Sequence, residues 1–116
     1  MLKKALGAKG ERLAADFLSR QGYEIIAKNF RYERGEIDII AKKGELISFC
    51  EVKTRTSSAY GSGEDAVNSR KQKQIRKVAE GFISERAFAG YDFRFDVVVV
   101  EVRRNETKIR MIENAF

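Results

Sequence analysis

Three side chains on one short stretch could do chemistry together: Asp38, Glu51 and Lys53. Two carboxylates held a few ångströms apart repel each other and are costly to bury in an apolar sheet. A hard divalent cation such as Mg²⁺ or Mn²⁺ removes that cost, because it prefers oxygen ligands and needs only one or two carboxylates plus waters. Such an ion polarises a phosphoryl oxygen and lowers the pKa of a ligated water. A lysine two residues beyond one carboxylate can orient that water or steady charge developing on a phosphate. The residue types therefore point to metal-assisted attack on a phosphate ester.

The surrounding segment, GEIDIIAKKGELISFCEVK, has to position them. Residues 36–41 and 46–53 are β-type runs joined by Lys42-Lys43-Gly44-Glu45, the sequence signal of a β-hairpin. Alternation along a strand predicts Asp38 and Ile40 on one face, with Ile37 and Ile39 on the other. Glu51 and Lys53 share a face with Ile47 and Phe49. If Ala41 pairs with Leu46, Asp38 lies opposite Phe49 and diagonal to Glu51. If the turn is two residues longer, Asp38 lies directly opposite Glu51. Either register gathers both carboxylates and the lysine within reach of one ion.

Asp38, followed on the next strand by Glu51-Val52-Lys53, resembles the PD-(D/E)XK nuclease signature. A longer ordered set resembles the YraN-like family of predicted endonucleases. It comprises Gly10-Glu11, Gly22-Tyr23, Gly35-Glu36-Ile37-Asp38, Glu51-Val52-Lys53-Thr54-Arg55, Tyr60-Gly61, Lys71-Gln72, Phe95-Asp96-Val97-Val98 and Asn114-Ala115-Phe116. The likeness extends to archaeal Holliday-junction resolvases, which share the core and an N-terminal helical glutamate. The proline of the wider signature is absent, since Ile37 precedes Asp38, and no metal ligand is lost with it.

The resemblance implies a restriction-endonuclease-like sandwich and an endonuclease acting on DNA, branched or recombination-intermediate DNA included. It implies Mg²⁺ or Mn²⁺ on Asp38, Glu51 and the backbone carbonyl of Val52, with Glu11 adding a carboxylate and Lys53 positioning water. It also brings Lys71 and Gln72 toward the site; these two, with Arg34 and Arg55, are the candidate nucleic-acid contacts. A homodimer is implied if the substrate is a junction, where two symmetric strands are cut. The alternative is a non-catalytic nucleic-acid-binding module that keeps the fold. A third reading is a scaffold in which the same charges form structural ion pairs.

The chain's 116 residues predict one domain spanning residues 1–116. Its 43% hydrophobic and 34% charged residues belong to an ordinary globular protein, not a disordered one. A formal net charge of +6 favours a polyanionic partner, though it is also compatible with a merely solvated surface. The absence of histidine excludes a His-based triad, and one cysteine excludes an internal disulfide or a structural zinc site. Charges interrupt the N-terminal residues too often for a signal peptide. The most apolar run, residues 97–100, is far short of the roughly 20 residues a membrane span needs. A soluble cytoplasmic protein is expected.

Residues 6–20 predict a helix with Leu6, Leu13, Ala14, Phe17 and Leu18 as its apolar stripe. Glu11 falls at the edge of that stripe, either as a first-turn acid favoured by the helix dipole or leaning toward the hairpin. Gly22 closes the helix. A strand at 23–27 and a polar bend at 29–35 follow, the bend carrying Arg31 and Arg34 close to Asp38. After Lys53 comes a small-residue loop at 54–63 that includes Arg55. Ser69 and Gln72 form a capping-box pattern opening a second helix, expected to run to about residue 88. The helix is long enough to cross to a parallel neighbour. That neighbour, at 91–102, becomes continuously apolar and so predicts a strand covered on both faces. Asp96, at the start of the apolar run, is expected to be structural rather than a site carboxylate. A last strand at 107–112 completes an α/β architecture of about five strands in a mixed sheet with a helix on each face.

Overall fold

The computed structural model describes residues 3–56 and 66–116. Most of the expected small-residue loop, Tyr60-Gly61 included, lies outside them. Helix α1 covers Lys3–Arg20 and buries Ala14, Ala15 and Leu18. It ends in a Schellman arrangement: the Gly22 N–H donates to the Ser19 carbonyl at 3.1 Å, and the Tyr23 N–H to the Leu18 carbonyl at 3.0 Å. Gly22 takes φ +94°, which only glycine adopts without strain.

Five strands follow, interrupted by one helix: β1 Glu24–Tyr32, β2 Gly35–Lys43, β3 Leu46–Arg55, α2 Ser69–Ser84, β4 Asp92–Val102 and β5 Thr107–Ile112. They form one sheet in the order β1-β2-β3-β4-β5. β3 and β4 pair in parallel, as the α2 crossover requires, and the other neighbours are antiparallel. Each face of the sheet carries one helix. Ile37, Ile40, Ile47, Phe49, Val97 and Val99 pack beneath α2, whereas Ile39, Ala41, Cys50, Val98 and Val100 pack beneath α1. The valine run is thus buried on both faces, as its composition predicts. The result is a restriction-endonuclease-like α/β sandwich. Among the described residues no helix is long and apolar enough to cross a membrane.

Several local expectations need correction. Residues 29–32 continue β1 instead of bending away: the one register shift against β2 lies earlier, between Ile25 and Ala27, Asn29 takes φ +51° within the strand, and Glu33 at φ +55° closes a tight hairpin from Tyr32 to Gly35. The cap of α2 is Asn68, not Ser69: its side-chain oxygen accepts the Lys71 N–H at 2.8 Å. The helix stops at Ser84, and Phe88 folds back to stack on Phe82 at 5.7 Å, so it joins the core from a loop. Arg55 belongs to β3, not to a loop, and stands beside Glu101 of β4 in register.

Asp96 is structural, as expected. It is fully buried and accepts hydrogen bonds from Arg94 Nε at 2.8 Å, from the Asn114 N–H at 2.9 Å and from Ser48 Oγ. Arg94 also donates to the Tyr23 hydroxyl. This network ties β3, β4, the end of α1 and the C-terminal residues together at one end of the sheet.

Candidate metal centre

The β2–β3 ladder runs from Lys43 opposite Leu46 to Ile39 opposite Cys50. Its turn is only Gly44-Glu45, with Gly44 at φ +60°, the conformation a two-residue hairpin asks of its first central residue. The turn is two residues shorter than the four-residue turn expected, not longer, and that shortening is what places Asp38 directly opposite Glu51. The ladder stops one rung before that pair. There Asp38 Oδ2 accepts the Val52 N–H at 2.8 Å, so a carboxylate takes a donor that the sheet leaves open.

Alternation also slips at this rung. Ile37 lies beneath α2 and Ile39 beneath α1, so the two residues occupy opposite faces, contrary to expectation. Asn29, which the register sets across from Asp38 on β1, carries the positive φ on the other side of the slip. Asp38 is thereby placed between the two faces. Its charge acts on Glu51 from one side and on Glu11 from the other.

Glu51 has a side chain only 14% exposed, and Lys71 Nζ approaches its Oε2 at 3.8 Å. Burial, the charge of Asp38 and a hydrogen bond to Asp38 push the Glu51 carboxyl up to about 8, against the opposing pull of Lys71 and Lys53. A hydrogen bond between two carboxyl groups needs a proton on one of them. Lys53, Asn68 and Lys71 join Glu51 around an open cleft of about 320 Å³ on the α2 face. Asn68 therefore both starts the helix and fixes the backbone from which Lys71 reaches the carboxylate.

Glu11 approaches from α1. It lines a cleft of about 210 Å³ with Leu6, Gly7, Val52 and Thr54. Its carboxyl is raised by burial and by the charge of Asp38, with a hydrogen bond to the Asn29 side chain opposing. Gly10 permits this approach: a Cβ there would lie 1.8 Å from Thr54 Oγ1. Among the described residues no three His, Cys, Asp or Glu side chains are grouped closely enough to hold a metal ion. Glu11 thus stands beside the Asp38–Glu51 pair, not within one cluster with it.

The structure brings together Asp38, Glu51, Val52, Lys53 and Lys71. The other candidates make contacts of their own. Gln72 donates its amide to the Val67 carbonyl at 2.6 Å. Arg34 sits at the β1–β2 turn, four residues or about 13 Å of strand from Asp38. Arg31 pairs with Glu36 at 3.4 Å, and Arg55 ends β3 beside Glu101. Two asparagines escaped the sequence reading, Asn29 and Asn68. The signal was available for Asn29, since asparagine is disfavoured inside a strand and tolerates positive φ.

Fold and site together define a class: a restriction-endonuclease-like α/β sandwich with a half-buried aspartate–glutamate pair where its hairpin ladder ends. More particularly, the chain belongs to the uncharacterised protein family UPF0102, whose model matches residues 10–100. That span contains Glu11, Asp38, Glu51, Lys53 and Lys71. The chain is 47% identical to a UPF0102 protein of Alkaliphilus metalliredigens over 115 residues, covering 99% of this chain and 100% of the relative. It is 49% identical to one from Caldicellulosiruptor bescii, covering 97% and 98%. A Geobacter metallireducens relative is 45% identical, with coverage of 97% and 93%.

Proposed function

We propose that this protein is a metal-dependent endonuclease that hydrolyses phosphodiester bonds of DNA. The observation that carries the reading is the close Asp38–Glu51 pair, half-buried at the end of the hairpin ladder, whose Glu51 is pushed up to about 8 and which is flanked by two lysines. The available donors are all oxygen: the two carboxylates and the Val52 carbonyl. In a strand the N–H and C=O of one residue face the same neighbour, so the Val52 carbonyl opens on the gap its N–H shares with Asp38. This set fits a hard divalent cation, Mg²⁺ or Mn²⁺, and suits softer metals poorly. When bound, the cation polarises a phosphoryl oxygen and lowers the pKa of a water.

The chain's own groups do the rest. Val52 N–H fixes one oxygen of Asp38 and leaves the other to the site. Lys53, on the cleft wall beside Glu51, orients the attacking water and steadies charge on the phosphate. Lys71 holds Glu51 in place and adds positive potential on the substrate side. Glu11 receives the charge of Asp38 from the opposite face and completes the acidic surroundings. The net charge of +6 suits a polyanionic substrate, branched DNA included. A homodimer would let two such sites cut a symmetric junction. A single buried, reduced Cys50 suits a cytoplasmic setting.

The test is a cleavage panel of linear duplex, single-stranded, flap and four-way-junction DNA with Mg²⁺, Mn²⁺ or EDTA. Cutting should need the metal and disappear in Asp38→Asn. Activity that survives Asp38→Asn or EDTA refutes the assignment. DNA bound but never cut moves the protein to a non-catalytic binding role.

A further inference from the structure

Three clefts on the α2 side adjoin one another through shared lining residues. The first, about 650 Å³, lies between the β1–β2 hairpin and α2 and includes Arg34, Gln74 and Lys77. The second, about 370 Å³, shares Gln74 with it and includes Arg70 and Lys71. The third is the Glu51–Lys53 cleft, which shares Asn68 and Lys71 with the second. A single groove therefore leads from the hairpin tip to the carboxylate pair.

The groove has a fixed floor and a charged rim. Gln74 Nε2 donates to the Arg34 carbonyl at 3.2 Å, tying the hairpin turn to the helix. Gly35 lies so close to α2 that a Cβ would meet Val78 Cγ2 at 2.4 Å. Arg70, Gln74 and Lys77 recur at i, i+4 and i+7, one stripe of α2 beside its buried stripe of Ile75, Val78 and Phe82. Arg34, Arg70 and Lys77 are exposed, and the acid present, Glu33, pairs with Lys77 at 3.2 Å in an exposed bridge that is worth little. From Arg70 to Lys77 the helix rises about 10 Å. Nucleotides of one B-form strand advance about 3.4 Å each along the axis and farther along the backbone itself, so that length is spanned by roughly two to three phosphates.

We infer that this groove is the binding track for the sugar-phosphate backbone of the strand being cut, with Arg34, Arg70 and Lys77 as its phosphate contacts. The inference rests on the nuclease reading and adds where the substrate lies. Arg34, far from the carboxylates along β2, thereby acquires a role at a distance of several nucleotides. Duplex backbone enters past the hairpin tip, follows α2 toward its N-terminus and meets Lys71 at the scissile position. Loss of one contact weakens binding to all sequences alike, because phosphates carry no sequence information.

The experiment is fluorescence-anisotropy titration of a labelled 20-base-pair duplex in EDTA from 50 to 300 mM KCl, with parallel Mg²⁺-dependent cleavage kinetics. Arg34→Ala, Arg70→Ala and Lys77→Ala are compared with Arg104→Ala, an exposed change on the β4–β5 hairpin. Each groove variant should reduce the slope of log affinity against log salt by about 0.9 and raise KM several-fold at unchanged kcat. Arg104→Ala should match wild type. Circular dichroism melting separates misfolding from lost contacts, and charge reversal at Arg70 must deepen the effect. If wild type binds and cuts while the groove variants keep its slope and KM, the track is wrong and the nuclease reading stands. If wild type neither binds nor cuts, both fall together.

Discussion

Replacing Glu51 with glutamine should stabilise the protein at neutral pH in the absence of metal, and only there. The carboxyl rises from an ordinary 4.5 to about 8 on folding, so the native state binds a proton more tightly than the unfolded state. Stability from this group is fully present below pH 4.5, declines between 4.5 and 8, and is lost above 8. At about 1.36 kcal/mol per pH unit the full span amounts to roughly 5 kcal/mol, of which about 3 has been lost by pH 7. Glutamine is never ionised and escapes this loss; the pull of Lys71, 3.8 Å from Glu51 Oε2, is already contained in the value of about 8. The net gain at pH 7 is therefore about 3 kcal/mol. For a chain of this size that corresponds to a Tm rise on the order of 10 °C. Thermal melts of both proteins in EDTA from pH 4 to 9 measure it. The Tm difference should be near zero or negative at pH 4, open through pH 5–8, and shrink again when millimolar Mg²⁺ stabilises wild type alone. A difference independent of pH, or a glutamine variant less stable at pH 8 in EDTA, refutes the coupled carboxylate pair and favours structural ion pairs.

Other outcomes follow from particular contacts. Lys53→Met should lower kcat by about 10²-fold while leaving the Mg²⁺ concentration dependence of cleavage unchanged, because the lysine acts on water and phosphate and not on the cation. Gly10→Ala places a Cβ 1.8 Å from Thr54 Oγ1 and should destabilise by roughly 2 kcal/mol in urea melts, with Thr54→Ala recovering part of the loss in a double-mutant cycle. Asp96→Ala strands Arg94 and Ser48 in the sheet and should destabilise by about 3 kcal/mol or more, measured by the same melts.

Much of this architecture is legible because it is written in periods and short signals. The hairpin, the valine run with its double burial and the α2 stripe all follow from branched-residue runs and helical spacing. The carboxylate pair is legible too, since both turn lengths left Asp38 near Glu51. What escaped depends on one-residue geometry. The slip at Asp38 arises jointly from Asn29 and the end of the β2–β3 ladder, and neither strand alone reveals that Ile37 and Ile39 face opposite cores. Asn68 outcompeted Ser69 as cap because its oxygen reaches the Lys71 N–H, a choice one residue wide. The bend expected at 29–32 fails because arginine and tyrosine pair across a hairpin as readily as they cover a turn.

Cys50 sits on the last rung of the β2–β3 ladder, one residue before Glu51, with no exposed surface. Burial first of all pushes its thiol up to about 12, so the native protein presents essentially no thiolate to an alkylating reagent at neutral pH. It is the chain's one cysteine, so a single mass increment marks each molecule that has opened. The rate of that labelling therefore clocks the lifting of α1 from the sheet face next to the carboxylate pair, with no probe added. A cation or substrate that stabilises the packed state, Glu11 of α1 included, will slow the clock, turning an otherwise inert thiol into a native-state reporter of occupancy.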